Sequence, residues 1–238
     1  FGSGAMTNSI PEIEDADCIF IIGSNTSVAH PLIASRVFKA RAKGAKIIVA
    51  DPRRIQVSSI ADINVKQKLG SDVALLNGIM NVIITRGLHD KKFIEDRTEG
   101  FEKLQEVLND YPPEKVTGIT GVSVDDIIRI AETFATSEKS TILYAMGITQ
   151  HSHGVDNVKS LANLAMLTGQ IGRPSTGVNP LRGQNNVQGA CDMGGLPNVY
   201  PAYQAVTDEN NKNKFENAWQ ANLSSKVGYT IMEMMHGL

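Results

Sequence analysis

The stretch "PLRGQNNVQGACDMGG", residues 180–195, sets one arginine, Arg182, among side-chain amides, glycines, a cysteine and an aspartate, with no second basic residue near it. A guanidinium keeps its charge at any working pH, and its fixed fork of donors can hold a small carboxylate through two bonds at once. The amides that follow, Gln184, Asn185, Asn186 and Gln188, both donate and accept, which suits the edge of a fused heterocycle better than it suits a phosphate. A second reading stays open, in which Arg182 pairs with Asp192 and only holds a loop.

Four more short stretches carry chemistry at places where a strand should end: "GSN" at 23–25, "DPR" at 51–53, "GSD" at 70–72 and "MGITQ" at 146–150. Glycines such as Gly23, Gly70 and Gly147 let a backbone approach a phosphate or a ring. An acid such as Asp51 or Asp72 accepts from ribose hydroxyls or a base edge, and Arg53 can meet a phosphate. A nucleotide fits all four, with Asn25, Met146 and Gln150 beside it. Each residue also has a plainer role open to it. Asp51 can be a turn residue before Pro52, Asn25 and Asp72 can cap the following helices, and Met146 can be core. The first turn reads "GSNTSVAH" rather than G-x-G-x-x-G, which argues against an ordinary nicotinamide site.

Other reactive side chains offer less. His30, followed by Pro31, reads as a helix-start residue. His151 and His153 make half a metal site with no third ligand nearby, so no metal ligands are assigned. Cys191 lacks a basic neighbour and reads as a small packed residue.

The elements that must position these residues follow from hydrophobic patterning. "ADCIFII" at 16–22 is a short apolar run ending in glycine, as in a strand buried on both faces of a parallel sheet. "HPLIASRVFKARAKGA" repeats Leu32, Ile33, Val37 and Ala40 at helical spacing, Gly44 ends it, and "KIIVAD" is the next strand, completing a βαβ unit. "INVKQK" is a weaker alternating strand, followed by a helix starting at Asp72 and closed by Gly87. Residues 90–122 are charged and irregular and read as a peripheral helical insertion. "SVDDIIRIAETFATSE" carries a capping box at Ser123 and Asp126 and one apolar face, and it leads into the strand "STILYAMG". A long helix is expected from "HGVDNVKSLANLAMLTGQIG". Residues 173–205 read as a long loop of the kind that a compact domain keeps only to build a site. The tail from "NKNKFENAW" is polar and partly helical.

This alternation predicts an α/β fold: a doubly wound, mostly parallel sheet with Rossmann-like nucleotide-binding topology over residues 1–183, and the start of a second α/β domain over 184–238. Strand ends on such a sheet are where ligands bind, which draws the four stretches together. The 238 residues hold 23 basic and 25 acidic side chains, a formal charge of -2, so neither nucleic acid nor an anionic membrane is an expected partner. No run nears the roughly 18 to 20 apolar residues of a spanning helix. Two distant cysteines argue against a disulfide framework or a Cys-rich cluster and favour a reducing, cytoplasmic setting. The opening "FGSGAMTNSI" starts without methionine or the pattern of a secretory signal, so a piece of a longer polypeptide is expected.

The stretch "PLRGQNNVQGACDMGGLPNVYP" closely resembles the signature of catalytic subunits of molybdopterin-dependent formate dehydrogenases. The resemblance runs back through "MLTGQIGRPSTGVNP", "MGITQHSHG", "ITGVS", "TEGFE", "ALLNG", "IIVADPR" and "GAMTNSIPEIEDAD", nearly the whole chain. It implies a bis-molybdopterin guanine dinucleotide cofactor with molybdenum or tungsten, and reversible two-electron oxidation of formate to carbon dioxide. It matches Arg182 to the arginine that orients formate. Gly23, Asn25, Asp51, Arg53, Gly70 and Asp72 match positions holding guanosine and diphosphate, and Met146, Gly147, Gln150 and Gln184 fall near the cofactor.

The resemblance also implies an iron–sulfur electron-transfer partner subunit. It departs from the family in two ways. The family's cysteine or selenocysteine metal ligand, with its following histidine, and a 4Fe-4S cluster belong upstream of "GAMTN", so the fragment alone is expected to be inactive. In addition, Asn25-Thr26 stands where many relatives have Asn-Pro. Another molybdopterin oxidoreductase, such as a nitrate reductase, and a non-catalytic scaffold keeping the fold are the alternatives.

Overall fold

A computed structural model describes residue 1 and residues 4–237, which form two compact units, Phe1–Gly183 and Gln184–Leu238. The first unit is built on five parallel strands: β1 (Cys18–Ile22), β2 (Lys46–Ala50), β3 (Ile63–Val65), β4 (Ser140–Tyr144) and β5 (Gly177–Pro180), in the order β3-β2-β1-β4-β5. The chain therefore steps outward from β1 to β3, crosses back, and continues with β4 on the other side of β1. That reversal is the topological switch point of a doubly wound sheet.

Alternate residues of β1 feed two separate cores. Cys18, Phe20 and Ile22 pack on one face, and Ile19 and Ile21 on the other. Both faces are covered, so the strands read as continuous apolar runs. The first turn after β1 is the short helix α1 (Thr26–Ala29), and α2 (Pro31–Ala42) follows with Val37 and Ala40 buried on the second face. Leu32, which shares their helical spacing, is 83% exposed in the first turn of α2.

Helix α3 (Asp72–Thr85) covers the first face, almost wholly buried. Residues 90–122 form α4 (Lys91–Arg97), α5 (Phe101–Leu108) and α6 (Pro113–Thr120). These are not peripheral, since Ile94, Leu108 and Val116 belong to the main core and Asn81 of α3 donates to the Leu108 carbonyl at 2.9 Å. The charged residues simply occupy the outer faces of short amphipathic helices. The first face is completed by α7 (Val124–Thr136), started by the Ser123 cap, and, beyond the short α8 (Met146–Thr149), by α9 (Gly154–Leu167).

Residues 173–205 are not the continuous loop the composition suggests. They contain β5 as well as elements of the second unit. "GVNP" is poor in strand formers, and it holds as an edge strand because tertiary contacts override propensity. Inward, β5 pairs with β4. Outward, it is braced by the first residues of the chain: Val178 N–H donates to Thr7 Oγ1 at 3.0 Å, and Thr7 N–H donates back to the Val178 carbonyl at 3.3 Å. Asn8 donates to the Arg173 carbonyl at 2.8 Å and to Glu12, whose carboxylate also accepts from Ser175 N–H at 2.8 Å. These bonds hold the Glu12 carboxyl down at about 2, the Asn8 amide first among them.

The second unit holds α10 (Val187–Asp192), an antiparallel pair β6 (Val199–Tyr200) and β7 (Gln204–Ala205), α11 (Glu209–Trp219) and α12 (Ile231–His236). Its core is small: Tyr200, Val206 and Phe215, with the Tyr200 and Phe215 rings 4.8 Å apart. Gln184 begins this unit as an exposed residue.

Candidate functional site

The carboxyl ends of β1, β2 and β4 open into a cavity of about 610 Å³ within the first unit. Its shape starts with two glycines. Gly23, after β1, takes φ +56°, and its carbonyl accepts from the Gly147 N–H at 3.0 Å. A Cβ on Gly147 would lie 2.5 Å from the Gly23 oxygen, and one on Gly23 would lie 2.7 Å from the Gly147 carbonyl carbon. Only glycine at both positions allows the loops after β1 and β4 to touch.

From this junction the cavity is lined by Asn25 on the β1 side, Asp51 and Arg53 after β2, Asp72 at the start of α3, and Met146 and Gly147 after β4. The structure thus gathers residues that the sequence separates by more than a hundred positions. Gly70 and Gln150 do not line it: Gly70 is a turn residue at φ +76°, and Gln150 caps the end of α8. Arg182 also lies off the lining, which takes its neighbours Leu181 and Gly183 instead. Gln184 belongs to the other unit.

Neither Asn25 nor Asp72 caps a helix through its side chain. Asn25 Oδ1 is buried with no partner, and the Asp72 carboxylate accepts from Gln67 Nε2 at 3.0 Å. Asp51 does hold its turn, since Oδ1 accepts from Arg53 N–H at 2.9 Å, yet its other carboxylate oxygen has no protein partner among the described residues. The Asp51 side chain is only 4% exposed, while Arg53 is 70% exposed and lies against it through a 3.5 Å contact from Nε to the Asp51 carboxylate.

Gln67, Lys68 and His30 line the cavity and escaped the sequence reading. Gln67 lines the cavity, 3% exposed, with Nε2 committed and Oε1 unpartnered. The signal was there: in "INVKQK" Gln67 shares a period-two face with the buried Ile63 and Val65, so a polar residue falls where apolar ones belong. His30 is more than a helix-start residue. It lines the cavity and presents a buried, unpartnered Nδ1, while its Nε2 meets the Arg182 carbonyl at 2.6 Å.

A buried acceptor without a partner costs about 1–3 kcal/mol. Asn25 Oδ1, Gln67 Oε1 and His30 Nδ1 are such atoms, each closed off from solvent on a side chain that lines the same cavity as Asp51. Such a floor asks for a ligand rich in N–H and O–H donors, with Arg53 and Lys68 at hand for a phosphate. The Arg182 guanidinium donates to the Gly4 carbonyl at 2.7 Å, and no carboxylate pairs with it among the described residues of its unit. Burial pushes the Tyr144 phenol above its usual value, and the Arg182 charge partly offsets this. Asp192 accepts from Gln188 at 2.9 Å within the second unit. Cys18 and Cys191 are free and buried, and burial raises the Cys18 thiol to about 12.

Comparison with known proteins places this arrangement. The chain is 57% identical, over 99% of its length, to the F420-dependent formate dehydrogenase subunit alpha of Methanocaldococcus jannaschii, of which it covers 35%. It is 50% identical to formate dehydrogenase H of Escherichia coli, covering 99% of this chain and 33% of that one. The chain thus spans about a third of the length of these relatives. Among solved structures, acetylene hydratase from Pelobacter acetylenicus superposes with a TM-score of 0.64 at 29% identity, covering 70% of this chain and 25% of that one. Residues 2–236 match the family described as molybdopterin oxidoreductase, and with relatives this similar over the whole chain, the protein belongs to that molybdopterin-carrying family.

Proposed function

We propose that the chain is the cofactor-binding part of a catalytic subunit that interconverts formate and carbon dioxide. The observation that carries this reading is the cavity at the switch point, where the buried acceptors of Asn25, Gln67 and His30 stand unpartnered beside Asp51. The residues fit a guanine dinucleotide arm of the cofactor. Asp51 and Gln67 would take N–H and O–H donors of the base or ribose, the contact of Gly23 with Gly147 would admit the chain of the nucleotide, and Arg53 and Lys68 would meet the diphosphate. The cofactor, as bis-molybdopterin guanine dinucleotide with molybdenum or tungsten, supplies the two-electron redox chemistry.

This chain's own part is to hold and orient. Arg182 is an exposed, permanently charged fork that no acid among the described residues of its unit neutralises, a suitable grip for a formate carboxylate. Gly70, Met146, Gly147, Gln150 and Gln184 are proposed as further cofactor contacts, and a 4Fe-4S cluster and an iron–sulfur partner subunit as the route for electrons. The names of the relatives support formate as substrate.

The test is dye reduction by the full-length subunit under anaerobic conditions, with formate and with nitrate as alternative substrates. Formate-dependent turnover together with released guanine nucleotide supports the reading. A metal-loaded enzyme silent with formate and active on nitrate overturns it.

A further inference from the structure

Between the cavity and Arg182 stands His30, whose ring lines the proposed cofactor pocket and whose Nε2 turns to the Arg182 backbone. His30 is fixed through its backbone on both sides. Its N–H donates to the Thr26 carbonyl at 2.9 Å and ends α1, and its carbonyl accepts from Ala34 N–H at 2.9 Å and begins α2. Pro31 follows, which narrows the backbone of residue 30 further. From this pivot the ring reaches the Arg182 carbonyl at 2.6 Å. A carbonyl oxygen only accepts, so Nε2 carries the hydrogen.

On the other side of this bond the chain has few restraints. Leu181 is the last residue held by the sheet, through its N–H on the Tyr144 carbonyl at 2.8 Å, and residues 182–186 are exposed. Among the described residues Arg182 keeps two hydrogen bonds: its guanidinium on Gly4 and its carbonyl on His30. The carbonyl contact fixes the peptide plane, and with it the direction in which the side chain leaves the backbone.

We propose that His30 is a positioning residue that holds the backbone of Arg182, and so aims its guanidinium at the substrate carboxylate. The inference rests on the formate reading for the identity of the substrate. It does not rest on it for the brace itself.

The experiment compares His30→Ala and His30→Gln with the parent in the full-length subunit, because a glutamine amide can offer its N–H near the place of Nε2. Two readouts are taken. The first is hydrogen exchange of the segment 178–186, followed by mass spectrometry. The second is steady-state kinetics, with turnover normalised to bound guanine nucleotide. With alanine, exchange of the segment should quicken by about tenfold and the formate KM should rise by about tenfold, with kcat per loaded site changed less than KM, the loss expected of one hydrogen bond. Glutamine should restore both.

Unchanged exchange in the alanine variant overturns the proposal whatever the substrate is. Quickened exchange with an unchanged KM overturns the aiming role, and a glutamine variant that behaves like alanine assigns the effect to ring packing and overturns it too. A parent enzyme silent with formate overturns the formate reading alone, since the exchange comparison needs no substrate.

Discussion

Replacing Gly147 with alanine sets a methyl carbon 2.5 Å from the Gly23 oxygen, 2.7 Å from its Cα and 2.8 Å from its carbonyl carbon. All three are backbone atoms, so no side chain can swing aside, and the loops after β1 and β4 must part by about an ångström to reach ordinary contact. Overpacking of this kind costs about 1–3 kcal/mol. Parting the loops also breaks the 3.0 Å bond from Gly147 N–H to the Gly23 carbonyl, at about 1 kcal/mol more. Alanine regains about 0.5–1 kcal/mol of backbone entropy, which leaves a net loss of about 1–3.5 kcal/mol.

Gly118 in α6 provides the control. It is exposed, a Cβ there meets nothing within 4 Å, and the same substitution should stabilise by about 0.5–1 kcal/mol. Thermal melting of the full-length subunit should therefore rank Gly118→Ala above the parent and Gly147→Ala below it. Guanine nucleotide released on denaturation should drop to a small fraction in Gly147→Ala and stay at the parent level in Gly118→Ala. A Gly147→Ala protein with parental melting and full nucleotide content would refute the argument that this contact shapes the cavity.

Three further outcomes are expected. Arg182→Ala should abolish most formate turnover while nucleotide content stays near the parent level, because the residue lies off the cavity lining; nucleotide loss in step with activity contradicts this. Asp51→Asn keeps the turn by an amide oxygen but removes the charge, and should weaken nucleotide retention by about 1–2 kcal/mol, roughly five- to thirtyfold, as read by release rates during dialysis; an unchanged rate counts against a ligand on that carboxylate. Glu12 is held at about 2 against an ordinary 4.5, so its contribution is complete above about pH 4.5 and is lost as pH falls toward 2. Solvent screening around this half-buried group reduces a nominal 3 kcal/mol to about 1 kcal/mol, and the stability gap between the parent and Glu12→Gln should shrink between pH 5 and 3; a gap independent of pH refutes the clamp.

Local patterning was enough to find β1, β2, β4, α3, α7 and α9, since each is a strongly apolar or amphipathic run with a clear stop. The doubly wound, mostly parallel character of the sheet followed from the βαβ alternation. β5 was not legible, because "GVNP" has no strand pattern and holds its conformation by pairing with β4 and with Thr7. The site was legible as far as position after a strand decides it, which covers Gly23, Asn25, Asp51, Arg53 and Gly147. Gln67 was hidden by the name of its residue type rather than by its position, and the second role of His30 depends on a contact that spans 152 residues. No single-sequence periodicity reports such a pairing.

The brace between residues 4–8 and β5 sets an order of events during synthesis. Asn8 and its acceptor Asn179 are 171 positions apart, and Gly4 and Arg182 are 178 apart. At a synthesis rate of about 5–20 residues per second, the first segment waits roughly 10–30 s for its partner to be made. Residues 23–151, which carry nearly all of the cavity lining, are complete before then. Arg182 can take its final place only after residues 4–8, made well before it, have folded back onto the last strand of their unit. The cavity at the strand ends is thus made early and the proposed substrate grip late.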